Sequence, residues 1–308
     1  MSINWINKDL VTILKFCLLG ILLLCLFFFL LDYGVKHSSE TQTGKVNKII
    51  DHSVDPLTMI FGSSVSEVGF NTAILQEKTG GTVYNCSLNG TRFVQNKALI
   101  NEFESYSKNN KYVILAEAYF SFEEFNLIMF PERFLAHINN QNLYSTFREI
   151  QPGMAWRCRY IPFYKYTTID HVYYMNALAG WKNIIRGTAV DTSLGFFPVE
   201  RNWENDADEK LNKLKPFVVP LNSSVLQKYV QSITSLQNKG KRVIIVLSPV
   251  YEMAIKNVTD INPLRSKLKE VAASTGCKFL DFSDSWICMN KAFFYNSTHL
   301  NKKGADEF

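Results

Sequence analysis

The longest apolar run of the chain lies close to its N-terminus. Residues 10–31 form a stretch of 22 positions, rich in Leu and Phe, in which Lys15 is the one charged residue. A helix of this length spans about 33 Å, which is enough to cross a hydrocarbon core of about 30 Å. The run therefore predicts a transmembrane anchor over residues 10–32, preceded by an N-terminal tail at 1–9.

A cleaved signal peptide is the alternative interpretation of this run. The residues that follow it, 32–36, read Asp-Tyr-Gly-Val-Lys and contain no cleavage site of the A-x-A type. This absence favours an uncleaved anchor. The positive-inside rule favours neither orientation, because lysines flank the run on both sides, at Lys8 and Lys15 and at Lys36, Lys45 and Lys48.

After Pro56, short apolar runs alternate with segments of helical spacing. The apolar runs predict five strands, at 57–61, 82–86, 112–116, 242–247 and 278–282. The helical segments lie at 65–78, 92–107, 223–238, 263–274 and 302–308. This alternation implies a parallel sheet that is covered on both faces. The predicted fold class is α/β, a flavodoxin-like three-layer α/β/α domain with about five parallel strands over 56–308. The polar residues 33–55 are predicted to form a stalk.

Residues 119–220 are too long for a simple crossover and are rich in aromatic side chains. Of these 102 residues, 20 are Phe, Tyr or Trp. We predict an inserted subdomain, for which two interpretations stay open. It packs its own aromatic core, or it forms a lid or wall that stacks on sugar rings or covers an acyl chain. In the second case Arg157, Arg159 and Lys165 would face an acidic polymer; in the first they are solvated.

The overall composition does not by itself argue for nucleic-acid binding. The net charge of +5 is modest and spread along the chain of 308 residues, as on an ordinary solvated surface. Two of the six cysteines, Cys17 and Cys25, lie in the predicted anchor. The remaining four allow three disulfide pairings or free buried thiols: Cys86, Cys158, Cys277 and Cys288.

Three polar segments are predicted to meet at the carboxyl ends of the strands, where open parallel sheets bind ligands. Gly62-Ser63-Ser64 follows the first strand, Asn89-Gly90 follows the second, and His299 lies in a loop near the C-terminus. A serine hydroxyl needs a base, a group that orients the base, and donors for the oxyanion. Ser64 is the candidate nucleophile, His299 the candidate base, and Asn296, three residues before His299, the candidate orienting group. Simpler explanations also exist: Ser64 could be a helix N-cap, and His299 could be a surface or helix-start residue.

Taken in order along the chain, these segments resemble the conserved blocks of the SGNH/GDSL-like hydrolase superfamily. Gly62-Ser63-Ser64 is similar to the Gly-Asp-Ser block, which implies that Ser64 is the nucleophile. The segment 85–90 is similar to the second block, which implies that the N–H groups of Gly90 and Ser64 form the oxyanion hole. Residues 296–299 are similar to the final Asp-x-x-His block, with His299 as the base. The resemblance covers residues 56–118 and 222–308.

The C-terminal part looks especially like membrane-anchored members, which are extracytoplasmic acyl-transfer proteins of bacteria that work with membrane-bound O-acyltransferases. The matching segments are 280–284 and 294–304. The resemblance implies an O-acyl, specifically O-acetyl, esterase or transferase that acts on a cell-envelope polysaccharide and uses no metal or organic cofactor. It implies a single-pass protein of the bacterial inner membrane with an extracytoplasmic domain, and a multi-span O-acyltransferase as partner.

The sequence departs from the superfamily pattern at two places. The third block normally supplies an asparagine to the oxyanion hole, but the third strand exits as Ala-Glu-Ala-Tyr-Phe over 116–120, so Asn89 is the substitute candidate. Asn296 stands where the superfamily carries aspartate, and the same change in a serine protease lowers the rate by about 10⁴. Three outcomes follow: Ser64 reacts slowly, Asp281 or Asp284 replaces the missing carboxylate, or the chain is a catalytically weakened scaffold or carbohydrate-binding protein.

Overall fold

The computed structural model describes residues 3–187, 192–204, 207–213, 215–256 and 260–308. Within these ranges five parallel strands form one sheet in the order β2-β1-β3-β4-β5. The strands are β1 (Thr58–Gly62), β2 (Val83–Asn85), β3 (Tyr112–Glu117), β4 (Arg242–Leu247) and β5 (Lys278–Asp281). This is the flavodoxin-like strand order. The predicted fold class is therefore confirmed.

Helices cover both faces of the sheet and extend beyond it. The α-helices of the described residues are α1 (Ile3–Lys36), α2 (Thr41–Ile50), α3 (Ser64–Gly69), α4 (Thr72–Thr79), α5 (Phe93–Tyr106), α6 (Gln141–Ile150), α7 (Pro152–Tyr160), α8 (His171–Arg186), α9 (Ala207–Asn212), α10 (Ser223–Asn238), α11 (Glu252–Lys256), α12 (Asn262–Thr275) and α13 (Lys302–Glu307). Short 3₁₀ segments lie at Pro131–Arg133, Leu135–His137, Tyr164–Thr167, Trp286–Met289 and Lys291–Phe293. The helix predicted over 65–78 is two helices, because the Asn71 side chain accepts hydrogen bonds from the N–H groups of Ala73 and Ile74 and starts α4.

The strands have apolar side chains on both faces, as parallel strands between two helical layers require. In β4, Val243 and Ile245 join the main core on one face, whereas Val246 joins a second cluster on the other face. The alternation follows from the period of two residues in a strand. Residues 243–246 of β4 are all Val or Ile because apolar clusters pack against both faces of the strand.

The segment 33–55, predicted to be a stalk, is instead packed against the domain. Val35, Val46 and Ile49 are fully buried in the same core as the sheet. Four polar residues of the segment, Ser38, Thr43, Lys45 and Asn47, are also buried, and Asn47 Nδ2 donates to the carbonyls of Val35 and Ser38, both at 2.8 Å. Part of the polar composition therefore serves internal hydrogen bonds.

The insertion 119–220 does not form a separate core in its described part. Phe122, Phe134, Phe147 and Tyr173 are fully buried, and they belong to the cluster that also contains the apolar residues of the sheet. Burial of these rings against the domain explains much of the aromatic content. Phe163, Tyr166 and Trp181 instead contact aromatic side chains of α1, an arrangement that neither of the two earlier interpretations includes.

The six cysteines are free thiols, and all of them lie in the described ranges. None of the three pairings that stayed open for the last four is formed. Cys86 is buried in the core, and this burial raises the pKa of its thiol to about 12. It therefore behaves as a small apolar residue.

Helix α1 is long and apolar enough to cross a membrane, by length and composition. Every side chain from Lys8 to Phe27 is exposed, so this part of α1 makes no extensive packing with the domain. The C-terminal end of α1 differs, because Gly34 and Val35 are buried where α8 crosses it. The structure therefore agrees with an anchor that is joined rigidly to the domain, and a membrane crossing remains a proposal.

The crossing of α1 and α8 depends on two glycines, and we expect Gly180→Ala to destabilise it. A Cβ at Gly180 would overlap the carbonyl of Gly34, and overpacking of this kind costs about 1–3 kcal/mol. Thermal unfolding of the full-length chain in detergent should show a lower midpoint. Gly20→Ala is the control, because a Cβ there meets nothing within 4 Å. Equal midpoints for the two variants would contradict the tight crossing.

Candidate active site

Ser64 is held at the turn between β1 and α3. The carbonyl of Gly62, the last residue of β1, accepts hydrogen bonds from Asn96 Nδ2 at 2.9 Å and from the Leu88 N–H at 3.1 Å. These bonds tie the turn to the loop that follows β2 and to α5. The two serines after Gly62 then differ: Ser63 is buried and its hydroxyl has no partner in the described residues, whereas Ser64 is half-buried and faces His299.

The side chains of Ser64, His299 and Asn296 form one continuous chain of hydrogen bonds. The His299 Nε2 lies 2.8 Å from the Ser64 Oγ, and its Nδ1 lies 3.0 Å from the Asn296 Oδ1. Ser64 and His299 are 235 positions apart in sequence. The fold therefore brings together three of the residues that the sequence singled out.

The orientation of the Asn296 amide selects the tautomer of His299. Its Oδ1 also accepts the backbone N–H groups of Thr298 and His299, each at 3.0 Å. A rotated amide would turn its NH₂ group toward these two donors, so Oδ1 is the atom that faces the ring. The ring then carries its proton on Nδ1 and offers the lone pair of Nε2 to the Ser64 hydroxyl. Asn296 thus holds His299 in the tautomer that can accept the proton of Ser64.

His299 is a neutral imidazole at ordinary pH. Burial lowers the pKa of His299 to about 4, because the charged ring is poorly solvated there. Asn296 carries no charge that would offset this loss of solvation. Tyr295 stacks on the ring, with 5.5 Å between centroids and 15° between planes, and limits its rotation. The site is well ordered, but it stabilises the imidazolium weakly.

Asp281 and Asp284 do not replace the missing carboxylate. Both pair with Arg265 instead: Asp281 Oδ2 lies 2.7 Å from its Nε, and Asp284 Oδ2 lies 3.4 Å from its Nη2. Hydrogen bonds from Ser283 and Arg265 hold the pKa of Asp281 low, outweighing the effect of burial. The second of the three outcomes raised by the sequence is therefore wrong.

The loop after β2 carries the predicted oxyanion donors Asn89 and Gly90. Asn89 is exposed and lines the cleft beside Ser64 and His299. Gly90 has a φ of 76°, and a Cβ there would overlap the Phe130 ring. The turn therefore requires glycine at this position. The contribution of Asn89 and Gly90 to an oxyanion hole stays a prediction.

Two residues outside the recognised blocks fix the peptide groups of this loop. Gln42 Oε1 accepts the Asn89 N–H at 2.9 Å, and Arg133 Nη1 donates to the Asn89 carbonyl at 2.6 Å. In a trans peptide the C=O and N–H groups point in opposite directions, so Arg133 also determines where the Gly90 N–H points. Gln42 lies in α2 and Arg133 in the insertion, and sequence reasoning missed both.

Gln42 is held in place by a buried ion pair between Glu67 and Lys45. Glu67 Oε1 accepts a hydrogen bond from Gln42 and one at 2.9 Å from Lys45 Nζ, which also donates to the Ser87 carbonyl at 2.8 Å. Both charged side chains are only 5% exposed. Because each buried charge has a partner, the network is rigid and holds α2 against α3.

The hydrogen-bonded chain opens into a cleft of about 360 Å³. Its walls come from α2, α3, the loop after β2, the insertion and the C-terminal loop: Gln42, Ser64, Glu67, Val68, Asn89, Phe197, Val199, Arg201, Tyr295 and His299. Glu117, at the end of β3, lines a separate small cavity. The third block therefore supplies no side chain to this cleft, as its sequence suggested.

Comparisons with known proteins show no family. No protein-family model matches the chain, and no curated protein sequence matches it. Three solved structures are similar: a proposed platelet activating factor from Streptococcus pneumonia (13% identity, TM-score 0.41, 93% of this chain and 94% of that chain), a proposed acylhydrolase from Bacteroides fragilis (11%, 0.37, 81% and 80%) and an acetyl xylan esterase (15%, 0.38, 81% and 94%). Their TM-scores are low, so they carry no argument about function.

Replacing Gln42 by alanine should lower kcat and leave KM nearly unchanged. The Asn89 N–H would lose its acceptor, and the Asn89 backbone would keep only the bond from Arg133. Misplacement of catalytic groups by about 1 Å costs up to about 10²-fold, so we expect a loss between about 10- and 100-fold. Hydrolysis of an aryl acetate measures the effect. The control is Gln231→Ala, at an exposed position of α10; equal kcat values would contradict the role of Gln42.

Proposed function

We propose that this chain is a serine-dependent O-acyl esterase or transferase. The observation that carries the proposal is the chain of hydrogen bonds from Ser64 through His299 to Asn296, located at the carboxyl end of a parallel sheet. A serine hydroxyl that opens onto a cleft, a neutral imidazole and an orienting acceptor are what acyl transfer through a covalent intermediate requires. The superfamily resemblance of these residues supports the same reaction class.

In the first half-reaction, the Ser64 oxygen attacks the ester carbonyl while its proton moves to the Nε2 of His299. The negative charge on the carbonyl oxygen is stabilised by the N–H groups of Ser64 and Gly90, with the Asn89 side chain as a further donor. His299 then donates the proton to the leaving alcohol. The acyl group remains as an ester on Ser64.

In the second half-reaction, His299 removes a proton from the acceptor, which attacks the carbonyl carbon of the acyl-Ser64 ester. The bond from that carbon to the Ser64 oxygen breaks, and His299 returns the proton to this oxygen, which restores the serine hydroxyl and the neutral imidazole. Water as acceptor gives hydrolysis, and a sugar hydroxyl gives transfer. Transfer requires a bound acceptor that competes with water at about 55 M through its positioning. Phe197 and Tyr295 line the cleft as aromatic surfaces on which a sugar ring can stack, and Arg201 lies 5.6 Å above the Tyr295 ring. We therefore propose a glycan as the substrate.

The position of the cleft relative to α1 supports a membrane-linked role. Gln42, which lines the cleft, lies only six residues after the end of α1 at Lys36. An anchor in the inner membrane of a bacterium would hold the cleft near the membrane surface. We propose an extracytoplasmic domain that handles O-acetyl groups on a cell-envelope polysaccharide, with a multi-span O-acyltransferase as acyl donor.

A second function is favoured by the electrostatics of His299. A base with a pKa of about 4 and an amide partner is a weak proton acceptor at neutral pH. The alternative is therefore a carbohydrate-binding scaffold that retains the fold and partners a membrane O-acyltransferase. Ester turnover by the isolated full-length chain separates the two functions.

The test uses 4-nitrophenyl acetate as acyl donor and the full-length chain in detergent micelles, with and without envelope oligosaccharides. Nitrophenol release reports the first half-reaction, and mass spectrometry of the sugars separates transfer from hydrolysis. We expect saturable release that is lost in His299→Ala. If His299→Ala releases nitrophenol at the same rate as the wild type, the proposed enzyme is refuted and the scaffold is favoured.

A further inference from the structure

Part of the aromatic insertion packs around α1 at the level where the apolar run ends. Tyr166 stacks on Phe28 with 3.9 Å between ring centroids, and Phe163 contacts the same ring at 5.3 Å. Asp32, the first charged residue after the run, pairs with Lys165 and accepts a hydrogen bond from Tyr173. Phe28 lies four residues before Asp32, or about 6 Å along the helix axis. The insertion therefore contacts the last turns of the apolar run as well as the first charged residue after it.

Helix α8 crosses α1 at a steep angle. Tyr173 and Trp181, eight residues apart in α8, contact Asp32 and Leu30, which are two residues apart in α1. Eight residues of helix span about 12 Å, whereas two span about 3 Å. The two helices therefore do not run side by side. If α1 crosses a membrane, α8 runs across the axis of the anchor rather than along it.

The polar face of α8 points toward the domain. Asn176 Nδ2 donates to Thr43 Oγ1 at 2.9 Å, and Asn183 Nδ2 donates to the His37 carbonyl at 2.9 Å. These acceptors lie beyond the apolar run, on the side of α1 that leads into α2. At seven residues apart, the two asparagines share one face of the helix.

The opposite face of α8 is apolar and exposed. Leu178 and Ile185 each lie two residues after one of these asparagines, a rotation of about 200° around the helix. They are 65% and 78% exposed, and Tyr174 on the same stripe is 40% exposed. On this side the Trp181 Nε1 donates to the Leu30 carbonyl at 3.1 Å, within the last turn of the apolar run. The apolar stripe therefore faces the predicted hydrocarbon region.

The segment before α8 continues this surface. Tyr160 and Ile161 are 55% and 40% exposed, and with Phe163 they border a groove of about 390 Å³ whose other wall is α1 from Cys25 to Phe29. Basic residues flank the apolar surface: Arg157, Lys182 and Arg186, all exposed. An apolar face bordered by cations is typical of elements that lie in the interface of an anionic bilayer.

We propose that the segment 156–166 and helix α8 form a membrane-embedded collar around α1, with the lipid bilayer as the occupant of the apolar face. The inference is independent of the proposed enzyme activity and rests on α1 crossing the membrane. The collar fixes the domain in one orientation on the bilayer. It thereby sets the height of the Ser64 cleft above the lipid, because α8 is bonded to the loop that leads into α2.

The collar is tested by spin labelling of the full-length chain in nanodiscs of phosphatidylethanolamine and phosphatidylglycerol. The three thiols that are not buried, Cys17, Cys25 and Cys277, are replaced by alanine. A nitroxide is then placed at Leu178→Cys or Ile185→Cys. Collision rates with oxygen, which partitions into lipid, and with a water-soluble nickel chelate report the surroundings of each label. Leu18→Cys in α1 is the lipid control and Gln231→Cys in α10 the aqueous control.

We expect the labels at 178 and 185 to collide more with oxygen than with nickel, as at 18. The aqueous pattern found at 231 would overturn the collar while leaving the anchor intact. Low collision rates with both reagents would mean that protein covers the face, such as a second copy of the chain, and would also overturn it. An aqueous pattern at position 18 would remove the premise and the collar together. None of these results depends on ester turnover.

Discussion

Ser64→Ala is expected to reduce turnover of an aryl acetate to the background rate. The variant loses the oxygen that forms the acyl intermediate, and His299 then has no hydroxyl to deprotonate. In a serine protease, loss of the nucleophile costs about 10⁶-fold in kcat, and a site with a weaker base should lose at least about 10³-fold. The measurement is kcat/KM for 4-nitrophenyl acetate with the full-length chain.

The neighbouring serine provides a matched control. Ser63 is buried, and its hydroxyl has no partner in the part of the chain that the structure describes. Ser63→Ala should therefore keep most of the activity. Equal losses in the two variants would indicate damage to the turn, whereas unchanged turnover in Ser64→Ala would refute Ser64 as the nucleophile.

Asn296→Asp should raise the activity and move its pH dependence. A carboxylate 3.0 Å from the Nδ1 of His299 would stabilise the imidazolium and raise its pKa from about 4. An opposite charge at such a distance shifts a pKa by about 1–3 units. Since the reverse change costs a serine protease about 10⁴ in rate, we expect a gain of at least about tenfold at neutral pH.

The direction of the pH effect follows from the protonation state of the base. In the wild type, His299 is deprotonated well above pH 4, so kcat/KM should fall only as the pH drops through about 4. In Asn296→Asp this acid limb should move to higher pH. Asn290→Asp is the control, because Asn290 caps a nearby 3₁₀ segment and its side chain accepts from Ala292, not from His299. If Asn296→Asp neither raises the activity nor moves the acid limb of the pH profile, the result would favour the scaffold.

The sheet was predictable because most of its strands are short apolar runs. The predicted and observed bounds of β4 are the same, 242–247, since a continuous β-branched run has one stable arrangement in a buried parallel sheet. Helix α2 was missed because its polar residues are buried with distant partners. Asn47, for example, bonds to His137, which is 90 positions away. A local pattern contains no information about such a partner.

Part of the candidate site was predictable because some of its residues have a local sequence signal. Ser64 closely follows Gly62, and His299 follows Asn296 by three residues, and both spacings can be recognised in the sequence alone. Gln42 and Arg133 have no local signal, because their role comes from the two peptide groups on either side of Asn89, to which the fold brings them. The aromatic insertion also resisted prediction, since Phe163 and Tyr166 pack on α1, more than 100 residues earlier in the chain.

The most direct test of the account is covalent labelling of the nucleophile. A fluorophosphonate reacts with a serine whose hydroxyl is activated by a base, and it forms a stable phosphonyl ester. The full-length chain is treated with the probe beside a known serine esterase, and the modified peptide is identified by mass spectrometry. We predict an adduct on Ser64 that is strongly reduced in His299→Ala. An unlabelled Ser64, with the reference esterase fully labelled, would contradict the proposal that this serine is an activated nucleophile.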